Sequence, residues 1–299
     1  MERKPNFFII GAAKSGTTSL FHYIQQHPDV FMSDVKEPHY FCSPDFPERF
    51  QGVGDEGFSD QTIRTRQRYL NLFRGVKNER VIGEASVYYL VYPNVAQRIK
   101  DFNPNAKMIV ILRNPVERAF SAYMHTIRDN RESLSFEKAL QMEAQRKEQG
   151  YQPLWWYTEV GYYAQQLAIY MSTFAPEQLK VFLYEDLRRS DMLLAELLQF
   201  LELRDDVVID TTIRHNVSGA PKARALYDFL AKPNIVKEAV KPFLPPQFRQ
   251  KIGHQMKNLI LSQIRPAPAI VDFLKSEFRE DILNLQDLIH RDLSAWLEK

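Results

Sequence analysis

Lys14 stands between Gly11 and Gly16 in the run FFIIGAAKSGTTSL, and three hydroxyl residues, Thr17, Thr18 and Ser19, follow the second glycine. A glycine-bounded loop that opens a helix points its backbone N–H groups at one spot, which suits phosphate or another oxyanion. The GxxxxG frame is that of a nucleoside-triphosphate loop, but Thr17 stands where such a loop carries its lysine. A second stretch, Lys36-Glu37-Pro38-His39, offers a carboxylate and an imidazole, both able to take a proton. Pro38 biases Glu37 away from helix, and in an extended segment Glu37 and His39 project to the same side. In a third stretch Arg113 ends an apolar run, and Arg118 and Ser121 follow at helical spacing, so that the two can share a face. Each stretch has a plain alternative: an ordinary strand-to-helix turn, a surface loop with a satisfied charge, a structural ion pair.

The elements that must position these residues follow an α/β rhythm. Phe7 to Ile10 reads as a strand, and the helix after the loop, with Leu20, Tyr23, Ile24 and His27 on one face, ends at His27-Pro28-Asp29. Val30 to Met32 and Val81 to Ser86 read as short strands, Gln61 to Phe73 as one helix, and Asn94 to Phe102 as another. Lys107 to Leu112 is the clearest strand, short and β-branched, as a central parallel strand should be. Asn114-Pro115 then supplies an N-cap and a first-turn proline. Arg113 therefore sits at a strand's carboxyl end, where open α/β sheets gather ligands. Ser133 to Gln149 and Gly161 to Phe174 read as helices, Leu179 to Tyr184 as a buried strand, and Asp186 as the N-cap of a helix through Leu203. The aromatic group Trp155, Trp156, Tyr157, Tyr162 and Tyr163 reads as packing. A polar, basic loop, HNVSGAPKAR, precedes an irregular basic segment at about 232–268 with six prolines, and a helix over 271–297 should pack back on a single domain, 1–299.

Composition narrows the partners. The 299 residues carry 39 Lys and Arg against 37 Asp and Glu, a formal charge of only +2. That balance argues against a nucleic-acid partner, so any anion site must come from local clustering. Cys42 is the only cysteine and admits no internal disulfide. The N-terminal apolar run is too short for a bilayer span or a secretory leader, which points to a cytoplasmic protein without a transmembrane segment. Composition leaves the oligomeric state open.

Taken together, five ordered motifs resemble those of sulfotransferases that use 3′-phosphoadenosine 5′-phosphosulfate (PAPS), near the bacterial relatives of the heparan-sulfate and Golgi group. They are GAAKSGTTSL, KEPHYF, LRNPVERAFSAY, the block GYYAQQL…EQLKVFLYEDL, and HNVSGAPKAR. The resemblance implies a P-loop-type three-layer fold, a central and mostly parallel sheet flanked by helices. It implies that Lys14 reaches the 5′-phosphate and the oxygen bridging to sulfur, with Ser15, Gly16, Thr17, Thr18 and Ser19 cradling that phosphate. Arg113 and Ser121 would hold the 3′-phosphate, and Ser218, Lys222 and Arg224 would close over the nucleotide. The catalytic base would be Glu37, as in the most similar family members, with His39 as competitor, because aryl and steroid sulfotransferases use a histidine.

A sulfuryl group bears less charge than a phosphoryl group, so no metal is expected, and LKVFLY offers no obvious metal carboxylate. The acceptor implied is a hydroxyl on a glycan, glycolipid or natural product, or on a hydroxyacyl or polyketide-type chain. Many glycosaminoglycan sulfotransferases carry a lysine where the resemblance puts Ala85, which argues against heparan-like acceptors. Two rival classes stand beside this one. A P-loop kinase or NTPase lacks its lysine after Gly16, and a non-catalytic nucleotide-binding module needs neither Lys14 nor Glu37.

Overall fold

Parallel pairing of five short strands builds the sheet that carries the candidate residues. The computed structural model describes residues 3–212 and 265–298. The strands are β1 (Phe7–Gly11), β2 (Val30–Met32), β3 (Val81–Ala85), β4 (Lys107–Leu112) and β5 (Leu179–Leu183), in the order β2-β3-β1-β4-β5. All four pairings are parallel. The helices are α1 (Thr17–Ile24), α2 (Glu56–Gln61), α3 (Arg66–Asn71), α4 (Asn94–Phe102), α5 (Pro115–Arg128), α6 (Phe136–Gln141), α7 (Glu143–Glu148), α8 (Tyr163–Thr173), α9 (Ser190–Phe200) and α10 (Pro268–Ile289).

The two central strands explain why the sheet is covered on both faces. All of β1 and Met108–Leu112 of β4 are buried, so neither strand shows a polar alternation. Their side chains instead divide by parity. Phe8, Ile10, Met108, Val110 and Leu112 join one core with residues of α4, α5, α8 and α10, whereas Phe7, Ile9, Ile109 and Ile111 join a second core with α1 and α9. The result is a three-layer α/β fold of the P-loop type. Helix α10 contributes Leu274, Phe278, Ile282 and Leu285 to the first core. Its Asp281 carboxylate accepts from the Tyr163 and Ala164 N–H groups (2.8 and 3.1 Å), capping the start of α8 from another helix.

Several boundaries differ from the sequence expectation. Residues Gln61 to Phe73 are not one helix: Thr62 is extended, and Thr65 caps α3 by accepting from Arg68 N–H. Ser133–Gln149 likewise divides into α6 and α7 around Met142. Helix α1 ends near Gln25, before Pro28, and the last helix ends at Ile289, where His290 takes a left-handed φ of 52°. Asp186 accepts from Leu183 N–H and pairs with Arg291, and α9 starts only after the 3-10 segment Tyr184–Arg189.

Candidate active site

The carboxyl ends of β1 and β4 open onto a cavity of about 1100 Å³. Gly16, Thr17, Thr18 and Ser19 line it at the start of α1. Gly16 has a φ of +98°, and a Cβ there would sit 2.6 Å from Leu187 Cδ1, so both conformation and packing call for glycine. Ser15 departs from its expected role. It is fully buried and does not reach the cavity wall, its N–H is bonded to Ala12 O, and its hydroxyl faces Tyr163.

Lys14 lies in the cavity wall with its backbone in the left-handed region, φ 69°. Its ammonium is 2.8 Å from His125 Nδ1, and His125 Nε2 is 3.2 Å from Asp129 Oδ2. Lys14 can only donate, so His125 Nδ1 accepts and Nε2–H faces Asp129. Burial, with Arg128 and Arg113 nearby, pushes the Lys14 ammonium down to about 8, against the pull of Glu37 and Asp129. Burial also pushes the His125 imidazole down, which favours the neutral ring that this contact requires. Sequence reasoning missed His125 and Asp129. Helical spacing carried the signal, since His125 lies four residues beyond Ser121, and Asp129 four beyond His125.

Arg113 and Ser121 also line the cavity. The Arg113 guanidinium sits 4.5 Å above the Tyr184 ring and donates to Glu117 Oε2 at 2.8 and 3.0 Å. Glu117 is exposed, so its hold on the arginine is weak and exchangeable. Arg118 does not join Ser121 in the cavity wall. It is 1% exposed and donates to the Trp156 and Tyr157 carbonyls, joining α5 to the aromatic segment behind it.

Glu37 reaches the same cavity by an unexpected backbone path. The segment is not extended: Glu37 and His39 have φ of 64° and 52°, both left-handed. Glu37 Oε1 takes a 2.5 Å bond from Lys36 Nζ, and Oε2 lies 3.5 Å from His39 Nε2. Burial acts to raise the Glu37 carboxyl, but Lys36 and His39 outweigh it and hold the group well below the usual carboxylate range. Lys36 lines the cavity and went unremarked as a site residue, although it adjoins Glu37 in sequence. His39 is 2% exposed and absent from the cavity wall, enclosed by Phe46, Phe58 and Tyr88.

Around Glu37 the wall is aromatic. Phe58 and Tyr88, which pack on the His39 ring at 4.7 and 5.4 Å, both line the cavity, with Val87 and Leu154. Arg131 lines it as well, tied to the fully buried carboxylate of Asp55. Asp55 also accepts from Gln152 N–H (2.9 Å), Gln152 Nε2 (2.7 Å) and Trp155 Nε1 (3.1 Å).

Among the described residues the wall holds five cations, Lys14, Lys36, Arg113, Arg131 and Arg188, against the carboxylates Glu37 and Asp129. That local excess in a nearly neutral chain suits a polyanion. No group of three His, Cys, Asp or Glu side chains among the described residues could hold a metal ion. No helix among them is long and apolar enough to cross a membrane. Ser218, Lys222 and Arg224, and nearly all of 232–268, lie outside the described residues.

Comparison with known proteins gives a consistent picture. A crystal structure of a sulfotransferase from Alicyclobacillus acidocaldarius aligns with a TM-score of 0.80 and 41% identity, over 99% of this chain and 100% of that one. Membrane-associated sulfotransferase kil1 of Dictyostelium discoideum is 37% identical over 123 residues, 41% of this chain and 23% of its own length. Carbohydrate sulfotransferase 15 of Homo sapiens is 32% identical over 168 residues, 44% of this chain and 29% of its own length. The match thus spans less than a third of these curated relatives. Residues 5–206 match the family model described as Sulfotransferase family. With that match over most of its length and the three-layer fold described above, the chain belongs to the sulfotransferase family.

Proposed function

We propose that this chain moves a sulfuryl group from PAPS to the hydroxyl of a glycan, glycolipid or natural-product acceptor, with Glu37 as general base and Lys14 facing the leaving phosphate oxygen. The observation that carries this reading is the joint presence of Lys14, Arg113, Ser121 and Glu37 in one cavity. The excess of cations in its wall and its volume of about 1100 Å³ fit a nucleotide with two phosphate-bearing ends and leave room for an acceptor. PAPS would bring the sulfuryl group, borne on its 5′-phosphate.

The residues divide the work by charge. Gly16, Thr17, Thr18 and Ser19 offer N–H and hydroxyl donors at the start of α1, a position that favours an anion. Arg113, released from Glu117, and Ser121 suit the 3′-phosphate, where charge-assisted bonds are strongest. Lys14 donates to the oxygen on which charge grows during transfer, while His125 fixes the direction of its ammonium. Glu37 takes the proton that the acceptor hydroxyl loses. Its pairing with Lys36 keeps it ionised at neutral pH, as a base must be. An anionic donor beside Lys36 would compete for that ammonium and return basicity to Glu37. His39, buried behind Glu37, is better suited to orienting the carboxylate than to meeting an acceptor.

The wall near Glu37 also bears on the acceptor. Lys36 and Arg131 are each paired with a carboxylate, and Phe58 and Tyr88 offer apolar faces. That surface favours an uncharged hydroxyl compound, a neutral sugar or an aryl or acyl natural product, over a polyanionic chain. Calorimetry with 3′-phosphoadenosine 5′-phosphate (PAP) and AMP in a chelating buffer, followed by transfer of labelled sulfate from PAPS to neutral and polyanionic hydroxyl compounds, tests the reading. Equal affinity for PAP and AMP would sink the 3′-phosphate assignment.

A further inference from the structure

Behind the Glu37 segment lies a buried carboxylate that the proposed reaction does not use. Glu84, at the end of β3, is completely inaccessible. Its Oε1 accepts from the Tyr69 hydroxyl at 2.9 Å and the Tyr89 hydroxyl at 2.6 Å, and its Oε2 accepts from the Ser86 hydroxyl at 2.9 Å. Two of these hydroxyls are themselves acceptors. Ser86 Oγ receives the His39 N–H at 3.0 Å, and the Tyr89 hydroxyl receives the Phe41 N–H at 3.3 Å.

A hydroxyl has one hydrogen. Once Ser86 and Tyr89 give theirs to Glu84, only lone pairs remain to face the backbone N–H groups of the segment after Glu37. The segment is held further by Glu37 N–H on Ala85 O (2.8 Å) and Ile63 N–H on Pro38 O (2.9 Å). We propose that Glu84 is a positioning residue: its carboxylate orients the Ser86 and Tyr89 hydroxyls so that they grip the His39 and Phe41 amides and hold the left-handed Glu37–Pro38–His39 turn open to the cavity. Its importance for transfer rests on the reading of Glu37 as the base.

The chemistry of the site gives the device a proton dependence. Burial pushes the Glu84 carboxyl up to about 7, against the pull of its three hydroxyl donors. The titratable groups that face it are Tyr69 from α3, Tyr89 after β3, Tyr170 from α8, and Cys42 and Glu37 from the segment between β2 and α2. Burial pushes the three phenols and the thiol far up, so they stay neutral while Glu84 titrates. A protonated Glu84 must donate to one of its three hydroxyls, which then turns its own hydrogen elsewhere; where that hydroxyl is Ser86 or Tyr89, the hydrogen competes with the His39 or Phe41 amide for the oxygen that had accepted it.

Residue-resolved amide exchange on the full-length chain reads this directly, without any sulfuryl transfer, so its failure is separate from failure of the catalytic reading. At about pH 8, Ser86→Ala should cost the His39 amide at least about tenfold in protection, Tyr89→Phe should do the same to Phe41, and Glu84→Gln, which must donate where a carboxylate oxygen accepted, should expose at least one of the two. Tyr69→Phe, which removes a donor to Glu84 that holds no segment amide, should expose neither. PAP affinity should stay within about twofold in all four. Lowering the pH of the wild type through about 7 should reproduce the Glu84→Gln pattern after correction for intrinsic exchange. Unchanged His39 protection in Ser86→Ala, or equal exposure in Tyr69→Phe, would overturn the proposal. If Glu84→Gln does not fold, Ser86→Ala and Tyr89→Phe decide, and unchanged protection of both amides ends the idea.

Discussion

Lys14 Nζ lies 2.8 Å from His125 Nδ1, so the cation of the glycine-bounded loop is directed by a neutral ring rather than neutralised by a carboxylate. Its full charge remains for a ligand, and burial makes that charge easy to lose, with the ammonium pushed down to about 8.

That depression gives a pH dependence with a definite sign. An anion binds the protonated lysine better, so its presence raises the Lys14 pKa. PAP affinity should therefore hold steady up to about pH 8 and then weaken by up to tenfold per unit as free Lys14 deprotonates. Calorimetry from about pH 7.5 to 9.5, in buffers of different ionisation heat, should show proton uptake on binding at the upper end. Lys14→Arg should flatten the profile, because arginine stays charged throughout. A flat wild-type profile would mean that Lys14 does not meet the ligand.

Arg113 tests which phosphate is which. Its guanidinium is stacked on Tyr184 and loosely held by exposed Glu117, so an incoming phosphate can displace the carboxylate. Arg113→Ala should remove charge-assisted bonds worth roughly 1.5–3 kcal/mol each. The loss should fall on PAP and spare AMP. A matching loss for AMP would point to a disturbed fold instead.

Some of this was legible in the residues and some was not. β4 and α4 stand where periodicity and turn residues put them, because short apolar runs between Asn-Pro breaks leave little freedom. Gly16 to Ser19 and Arg113 reach the cavity because strand–loop–helix order fixes them just beyond strand ends, and Ser121 reaches it from within α5. The turn at Glu37 could not be read from Pro38 alone. Its two left-handed residues are held by Ala85 and Ser86, more than forty positions later in the chain. Arg118 shows a related limit: helical spacing brings it near Ser121 but does not say that its guanidinium turns to the buried Trp156–Tyr157 backbone and not to the cavity.

Asp55 should matter for stability and for the aromatic wall together. It is fully buried and accepts from Arg131, Gln152 and Trp155, just ahead of α2, which carries Phe58. Asp55→Ala leaves the Arg131 charge without its partner and should cost about 3–5 kcal/mol in urea unfolding. Asp55→Asn, which keeps an acceptor oxygen, should cost clearly less. Equal losses for the two would mean that the charge, and not the acceptor oxygen or the packing that asparagine keeps, holds the segment.

The last prediction separates the roles of Lys14, Glu37 and His39. Glu37→Gln keeps the shape and removes the base, so transfer should fall by roughly 10²–10⁴-fold while PAP affinity survives. If Lys14 faces charge that grows only as transfer proceeds, as proposed, Lys14→Ala should depress turnover more than it weakens PAP binding. His39 is 2% exposed and lies behind Glu37, outside the cavity wall, so His39→Ala should act more weakly than Glu37→Gln. With an acceptor in hand, single-turnover rates at saturating PAPS measure all three. A dead His39→Ala beside a near-normal Glu37→Gln would reverse the assignment and make the histidine the base, reached by an acceptor that displaces Glu37 from its pairing with Lys36.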